Sequence, residues 1–195
     1  MVASIEFTPD YLALDVTQMH LTDEQFQQLC VANPDLRIEM SPTGKLIIMP
    51  PAFGETSYQN SDLNTQLGIW NRKYKLGKIF DSSCGYFLAN GFKPSPDVSW
   101  IANERLAGLS LKQFIPIAPD FAIELRSSSD RLLPLQQKMQ AYLENGVRLG
   151  WLINPPNKQV EIYRLGQDVE VLQSPTNLSG EAVLPGFVLD LTVIW

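Results

Sequence analysis

The sequence predicts a mixed α/β fold in which a β-sheet is flanked by helices. Helices alternate with strands along the chain, and a strand-helix-strand unit extends from Phe121 to Ile153. The chain has 195 residues, 45% of them hydrophobic, which is enough for one domain with a substantial core. We therefore expect a single domain over residues 1–195, in which residues 1–35 form an N-terminal extension with a short helix.

The N-terminal third contains a short helix followed by a hairpin. Thr22 is followed three residues later by Gln25, which is the pattern of a helix start, and apolar residues then recur at helical spacing up to Cys30. Two apolar segments come next, LRIEM and KLIIMP, joined by SPTG. Because proline and glycine suit a tight turn, these segments predict a β-hairpin.

A helix of about five turns is predicted before Gly77 by a single apolar stripe. The stripe consists of Leu63, Leu67, Trp70 and Tyr74. Glu55 then falls in the first turn, where a carboxylate is stabilised by the helix dipole and by unpaired amide groups. The sequence is compatible with two roles for Glu55: this capping role and a role in a functional site.

The rest of the chain alternates between strands and helices. Three strands are predicted after Gly77, with the sequences KIFDSS, GYFLA and DVSWIA, and a helical stretch follows over residues 103–114. The strand FAIEL comes next, then a helix from about Asp130 to Asn145 with Gly146 at its carboxyl end. Closing strands are predicted at LGWLIN, QVEIYRLG, EVL, GFVLD and LTVIW.

Cysteine and histidine usage excludes several kinds of site. Cys30 and Cys84 are the only cysteines, so they can form at most one disulfide and cannot supply a structural zinc site; we interpret them as reduced thiols. His20 is the only histidine, which excludes histidine-rich metal centres. A serine protease triad would have to use His20, and the chain has no nucleophile-elbow motif.

Charge and hydropathy limit the partners of the protein. No run approaches 18 apolar residues, so we expect a soluble, cytoplasmic protein without a membrane partner. The net charge of −6 opposes unspecific attraction to nucleic acid but leaves room for a local basic groove.

A basic cluster surrounds Tyr74, namely Arg72, Lys73, Lys75 and Lys78. Such a cluster can contact phosphates, although compensation of a helix carboxyl end is the more common role.

Two charged residues occupy positions that look internal. In PDFAIELR, side chains alternate between the two faces of a strand, and Glu124 shares a face with Asp120. Lys138 falls three residues after Leu135 and four before Tyr142, on the apolar stripe of the following helix. Its ammonium group could extend outward to solvent or reach Glu124.

Distance selects the aspartate that can join Glu124. Asp120 lies four strand residues away, so its backbone is about 13 Å distant, too far for two ligands of one small cation. Asp97, which begins the strand DVSWIA, belongs to another strand, and neighbouring strands are about 4.8 Å apart. Asp97 is therefore the better partner for Glu124.

Several segments together resemble a known family. They are PPAFGETSYQNSDLNTQLGIW, SPDVSWI, PDFAIELRSSSD, KMQAYLENGVRLGWLINP and VEIYR. Their order and spacing are similar to those of the Uma family of restriction-endonuclease-like proteins, which is abundant in cyanobacteria and belongs to the PD-(D/E)xK nuclease superfamily. The similarity extends from about Leu36 to Trp195. It implies a restriction-endonuclease-like fold, a mixed β-sheet core flanked by helices, here with an additional N-terminal helix and β-hairpin.

The resemblance also implies a site. Asp97 and Glu124 would bind Mg²⁺ or Mn²⁺, and Glu55 would be the helix-borne acid that often completes such sites. The family pattern has lysine two residues after the glutamate, whereas this chain has Arg126, which can stabilise a phosphate but is a poor proton acceptor. Lys138 would then supply the missing amine, and its ammonium group would orient the attacking water or offset charge that develops on the phosphate.

Three functions follow from this site and remain open. The first is an active endonuclease that hydrolyses phosphodiester bonds in DNA. A homodimer would allow such an enzyme to cut both strands. The second is a catalytically weak or inactive binding or regulatory module, suggested by Arg126 and the net charge. The third is an enzyme with the same metal centre that acts on RNA or a nucleotide. For each residue the structural alternative is a buried ion-pair network.

Overall fold

The computed structural model describes residues 5–7 and 11–195. The strands, in chain order, are β1 (Ile5–Phe7), β2 (Leu12–Asp15), β3 (Arg37–Met40), β4 (Lys45–Met49), β5 (Gly77–Asp81), β6 (Val98–Ala102), β7 (Phe121–Leu125), β8 (Leu149–Asn154), β9 (Gln159–Arg164), β10 (Glu170–Gln173), β11 (Asn177–Ser179) and β12 (Val188–Asp190). The helices are α1 (Asp23–Ala32), α2 (Gly54–Tyr74), α3 (Asn103–Leu106) and α4 (Leu132–Glu144). Within the described ranges, every helix is too short or too polar to span a lipid bilayer.

A six-stranded sheet organises the molecule, with the strand order β10-β9-β8-β7-β6-β5. Strands β7 and β8 are parallel, and α4 connects them, as the strand-helix-strand pattern predicts. The other neighbours in this sheet are antiparallel. The sheet is therefore mixed, and the predicted fold class is confirmed.

The central strands of the sheet are apolar on both faces, and a helix covers each face. Phe121, Ile123 and Leu125 of β7 pack into a core with three residues of the α2 stripe, and the fourth, Tyr74, is exposed. Ala122, on the opposite face, packs into a second core that includes Tyr142 of α4. Alternation along β7 thus places Glu124 on the α4 face, beneath the helix that carries Lys138.

The N-terminal part forms a second, four-stranded sheet with the order β1-β2-β4-β3. The predicted hairpin is β3–β4, whereas β1 and β2 were not predicted; residues 8–10, between them, lie outside the described residues. Helix α1 begins as the sequence predicts: the Thr22 hydroxyl accepts from the Gln25 amide at 3.2 Å, and the Gln25 side chain accepts from the Thr22 amide at 2.9 Å. Phe26 of α1 is fully buried in a third core with this sheet.

Three predicted elements are wrong. The segment GYFLA makes only an isolated bridge, Tyr86 to Ile115, because the loop that follows returns and packs beside it. The helix predicted over residues 103–114 ends at Leu106, and Gly108 then adopts a left-handed φ of +81°. The segment LTVIW folds into a turn, since the Ile194 amide donates to the Leu191 carbonyl at 3.0 Å.

Gly77 makes possible the close approach of β5 to β6. A β-carbon there would lie 2.5 Å from a Trp100 ring carbon and closer still to the carbonyl oxygen of Ile101. We therefore expect Gly77→Ala to lower the free energy of unfolding by about 1–3 kcal/mol through overpacking, measured by urea denaturation. Gly68→Ala, in the open face of α2, is the matched control and should be stabilising. Equal stability of the two variants would contradict this account.

Candidate active site

Four charged side chains from separate elements meet beneath α4. They are Glu39 of β3, Asp97 just before β6, Glu124 of β7 and Lys138 of α4. The Lys138 ammonium lies 3.0 Å from each carboxylate oxygen of Glu39 and 3.0 and 3.1 Å from the two oxygens of Glu124. Since the three carboxylates are at most 8% exposed, Lys138 pairs with two buried acids at once.

Asp97 is fixed against the strand that carries Glu124. Its Oδ2 atom accepts a hydrogen bond of 2.9 Å from the backbone amide of Leu125, the residue after Glu124. Its Oδ1 atom lies 3.5 Å from the Arg37 guanidinium and 3.5 Å from the side-chain amide of Asn60 in α2. The proximity of Asp97 to Glu124, which strand spacing predicts, is therefore present in the structure.

Two further hydrogen bonds orient the other acids. The Tyr142 hydroxyl, one turn after Lys138 in α4, donates to Glu124 Oε1 at 2.7 Å. The backbone amide of Ser95 donates to Glu39 Oε1 at 3.0 Å. Each buried carboxylate thus has at least one neutral donor in addition to a cation, which is what burial of charge requires.

Burial and mutual repulsion determine the protonation of the cluster. Burial raises the pKa of Glu124 to about 8, an increase that Lys138 opposes and that the charges of Asp97 and Glu39 support. Burial also lowers the pKa of Lys138, but the charges of Glu124, Glu39 and Asp97 outweigh it and leave that pKa above its ordinary value. Lys138 therefore stays an ammonium ion, and Glu124 is the group that takes up a proton.

The raised pKa of Glu124 predicts a pH-dependent stability. Between the ordinary carboxyl pKa of 4.5 and about 8, the folded protein holds a proton that the unfolded chain releases. The free energy of unfolding should therefore fall as the pH rises through this window, by at most about 1.4 kcal/mol per pH unit. Urea denaturation from pH 5 to 8 in the presence of a chelator would measure it.

Glu124→Gln is the control for this pH dependence, because glutamine can still accept a hydrogen bond from Tyr142 but does not titrate. In this variant the decrease of stability between pH 5 and 8 should be smaller. Identical slopes for the two proteins would show that Glu124 does not titrate in this range.

Two other predicted site residues lie apart from the cluster. Glu55 is exposed in the first turn of α2, and no hydrogen bond or ion pair among the described residues joins it to the four charges. Arg126 donates from Nε to the Asp130 carbonyl at 2.9 Å and from Nη1 to Asn154 Oδ1 at 3.1 Å. The structure therefore brings together Asp97, Glu124 and Lys138, whereas functional roles for Glu55 and Arg126 stay predictions.

Asp120 lies at the end of β7 opposite to Glu124, as the distance between the two residues along the strand predicts. It is fully buried, and its Oδ2 atom accepts from the backbone amide of Ala102 at 2.9 Å. Its Oδ1 atom lies 3.0 Å from Arg105 and 3.5 Å from Arg148. These contacts connect β6, α3 and the residue before β8, which indicates a structural role for Asp120.

Sequence reasoning missed Glu39, Asn60 and the hydroxyl of Tyr142. Glu39 interrupts the apolar strand RIEM in the way that Glu124 interrupts FAIEL, so the same signal was present in the hairpin. Asn60 and Tyr142 carry no such signal, because a polar residue on a long helix and a tyrosine in an apolar stripe are both common.

The donor atoms of the site suit a magnesium or manganese ion. Mg²⁺ prefers oxygen ligands and is commonly held by one or two carboxylates together with water and substrate oxygens, and Asp97 and Glu124 provide two carboxylates. Asn60, whose side-chain nitrogen is 3.5 Å from Asp97, has a buried Oδ1 atom that accepts no hydrogen bond from the described residues. No three His, Cys, Asp or Glu side chains within residues 5–7 and 11–195 form a group able to hold a metal ion. A cation held by Asp97 and Glu124 would therefore have to complete its coordination with water or substrate oxygens.

The fold and the site define a class of protein. The mixed sheet with a helix on each face is the restriction-endonuclease-like fold. The chain is similar to the crystal structure of a putative nuclease belonging to DUF820 from Anabaena variabilis, with a TM-score of 0.70 and 22% sequence identity, over 80% of this chain and 88% of that chain. This similarity establishes the fold.

The family follows from a second comparison. The family model described as "Uma2: Putative restriction endonuclease" matches residues 23–192, and the chain belongs to this family. The resemblance seen in the sequence motifs is therefore confirmed. No curated protein matches the chain.

Proposed function

We propose that the protein is a metal-dependent endonuclease that hydrolyses phosphodiester bonds in DNA. One observation carries this proposal: the Asp97 carboxylate is bound to the backbone amide next to Glu124, while the Lys138 ammonium contacts Glu124 itself. Two acids and an amine are thus held together on adjacent strands and the covering helix. The family, described as putative restriction endonucleases, supports the same function.

Asp97 and Glu124 would hold the Mg²⁺ or Mn²⁺ ion. The Oδ1 atom of Asn60 in α2, which is buried and has no hydrogen-bond partner among the described residues, would add a third oxygen donor. When bound, the ion supplies charge that polarises the phosphate and lowers the pKa of coordinated water. Because burial raises the pKa of Glu124, binding of a cation to this carboxylate would be expected to release its proton.

Lys138 acts as a cation in this proposal, not as a base. Its pKa is raised by three neighbouring carboxylates, so it holds its proton at working pH. An ammonium group here orients the attacking water by hydrogen bonding and stabilises negative charge that builds up on the phosphate. Tyr142 and Glu39 position the pair, Tyr142 by donating to Glu124 and Glu39 by holding the ammonium.

Cleavage assays with a metal titration test the proposal. Purified protein is incubated with supercoiled, linear and single-stranded DNA in Mg²⁺ or Mn²⁺, with a chelator as the control. We expect cleavage that depends on the metal, and calorimetry should show one Mn²⁺ ion bound per chain with release of a proton. Absence of Mn²⁺ binding at millimolar concentration and absence of cleavage would together reject the nuclease function.

A second function is favoured by one specific observation. Arg126 occupies the position where the family pattern has lysine. Its side chain donates hydrogen bonds to the Asp130 carbonyl and to Asn154, and not to Glu124. A binding or regulatory module that keeps the fold but cleaves weakly would show this feature. In that case DNA binding persists without cleavage in any metal, and an RNA or nucleotide panel separates the third function from both.

A further inference from the structure

A groove of about 480 Å³ follows the outer face of α2. Six α2 residues line it, and they are Ser61, Asn64, Thr65, Gly68, Ile69 and Arg72. They recur at steps of three and one, so they form a single stripe along the helix. The other wall includes Asp81 at the end of β5, an edge strand of the central sheet.

One end of the groove adjoins the acid cluster. Ser61 directly follows Asn60, whose side-chain amide is 3.5 Å from Asp97. Asp81 pairs across β5 and β6 with Val98, the residue after Asp97. The end of the groove at Ser61 and Asp81 is therefore the end nearer to Asp97.

The opposite end of the groove is basic. Arg72 lines it in the last turn of α2, and Lys73 and Lys75 follow within three residues. Hydroxyl and amide groups line the length between the two ends, and Ile69 exposes 67% of its surface there. Such a lining offers hydrogen bonds and an apolar contact but little negative charge.

The single carboxylate among the described lining residues is Asp81. It accepts a hydrogen bond of 2.9 Å from the backbone amide of Ser83 and another from the Ser83 hydroxyl. Its charge is therefore partly balanced by fixed donors, and it lies at the end where the proposed cation would be. The stretch from Ser61 to Arg72 has no acid of its own in the groove.

We propose that this groove carries the sugar-phosphate backbone of the DNA strand to the acid cluster, with Arg72 contacting a phosphate at its far end. The inference rests on the proposed function, for which it names the path of the substrate. Eleven helical residues at 1.5 Å each span about 16 Å. Arg72 therefore contacts a phosphate about that far along the strand from the one at Asp97.

Gly68, midway along the groove, permits a direct test by charge. A β-carbon at this position meets no atom within 4 Å, so a longer side chain extends into the groove without disturbing the fold. The variants Gly68→Glu, Gly68→Lys and Gly68→Ala are compared, and each should fold because all three residues favour a helix more than glycine does. Val31→Glu and Val31→Lys, at an exposed position of α1, are the matched controls.

Binding of a short fluorescein-labelled DNA duplex is measured by anisotropy in the presence of a chelator. Relative to Gly68→Ala, we expect Kd to rise about fivefold for Gly68→Glu and to fall about fivefold for Gly68→Lys, the effect of one exposed charge beside a phosphate. The Val31 variants should show no such opposite response. In Arg72→Gln, the slope of log affinity against log salt should decrease in magnitude by about 0.9, the value for one lost phosphate contact.

The outcomes separate this inference from the proposed function. Equal affinity of the three Gly68 variants, or no DNA binding by the wild-type protein, overturns the groove as the path of DNA. Opposite responses to the two charges support the groove even when the wild-type protein cleaves nothing in Mg²⁺ or Mn²⁺. That last result would reject the nuclease and leave a DNA-binding module.

Discussion

If the proposed function holds, replacing Asp97 by asparagine is expected to reduce metal-dependent DNA cleavage by at least about a hundredfold, because it removes the charge of a proposed metal ligand. The asparagine carbonyl can still accept the hydrogen bond from the Leu125 amide, so the local backbone should be retained. Cleavage rate and Mn²⁺ affinity, measured on the same preparation, should fall together.

Asp120→Asn is the matched control for this experiment. Asp120 is also a buried aspartate close to β7, but it contacts Arg105 and Arg148 at the other end of the strand. Its substitution should lower the stability and leave Mn²⁺ binding unchanged. Wild-type cleavage by Asp97→Asn, or loss of Mn²⁺ binding only in Asp120→Asn, would contradict the assignment of the site.

Replacing Lys138 by methionine is expected to lower the free energy of unfolding by about 3–5 kcal/mol, the cost of leaving buried charges without their partner. The loss should be large because Lys138 is the ammonium ion shared by Glu39 and Glu124. Urea denaturation at neutral pH measures the change. Lys158→Met, at an exposed lysine in the turn between β8 and β9, is the control and should have little effect.

A second substitution distinguishes lost charge pairing from lost packing. Adding Glu39→Gln to Lys138→Met removes the carboxylate of Glu39, which Lys138→Met leaves without its ion pair, so the double variant should be more stable than Lys138→Met alone. Equal stability of the two would show that packing of the lysine stem, and not the ion pairs, supports the fold.

The sequence predicts the central elements because their local signals agree with the tertiary structure. The capping pair at Thr22, the apolar stripe of α2 and the unit β7-α4-β8 all appear at nearly the predicted positions. Side-chain alternation and strand spacing are also sufficient to choose Asp97 over Asp120. These rules work because each depends only on the geometry of one or two elements.

The contribution of Glu39 could not be predicted in this way. It lies in the four-stranded sheet, and although its place in an apolar strand is visible in the sequence, nothing there shows that it meets Lys138, 99 residues away. The same limit applies to the side chain of Arg126, which the sequence allows to point toward Glu124 or away from it. Its direction depends on the Asp130 carbonyl and on Asn154, and Asn154 comes near only after folding.

The sequence separations within the acid cluster have a consequence for the order of folding. Lys138 is 14 residues from Glu124 but 99 residues from Glu39. Because closing a long loop costs more chain entropy than closing a short one, the Lys138–Glu124 contact can form early and the contact with Glu39 only when the two sheets dock. Until then the Glu39 carboxylate remains hydrated, and the cluster has no dry interior in which charges interact strongly. The chemistry of the site is therefore a property of the completed molecule, and no isolated half of the chain should possess it.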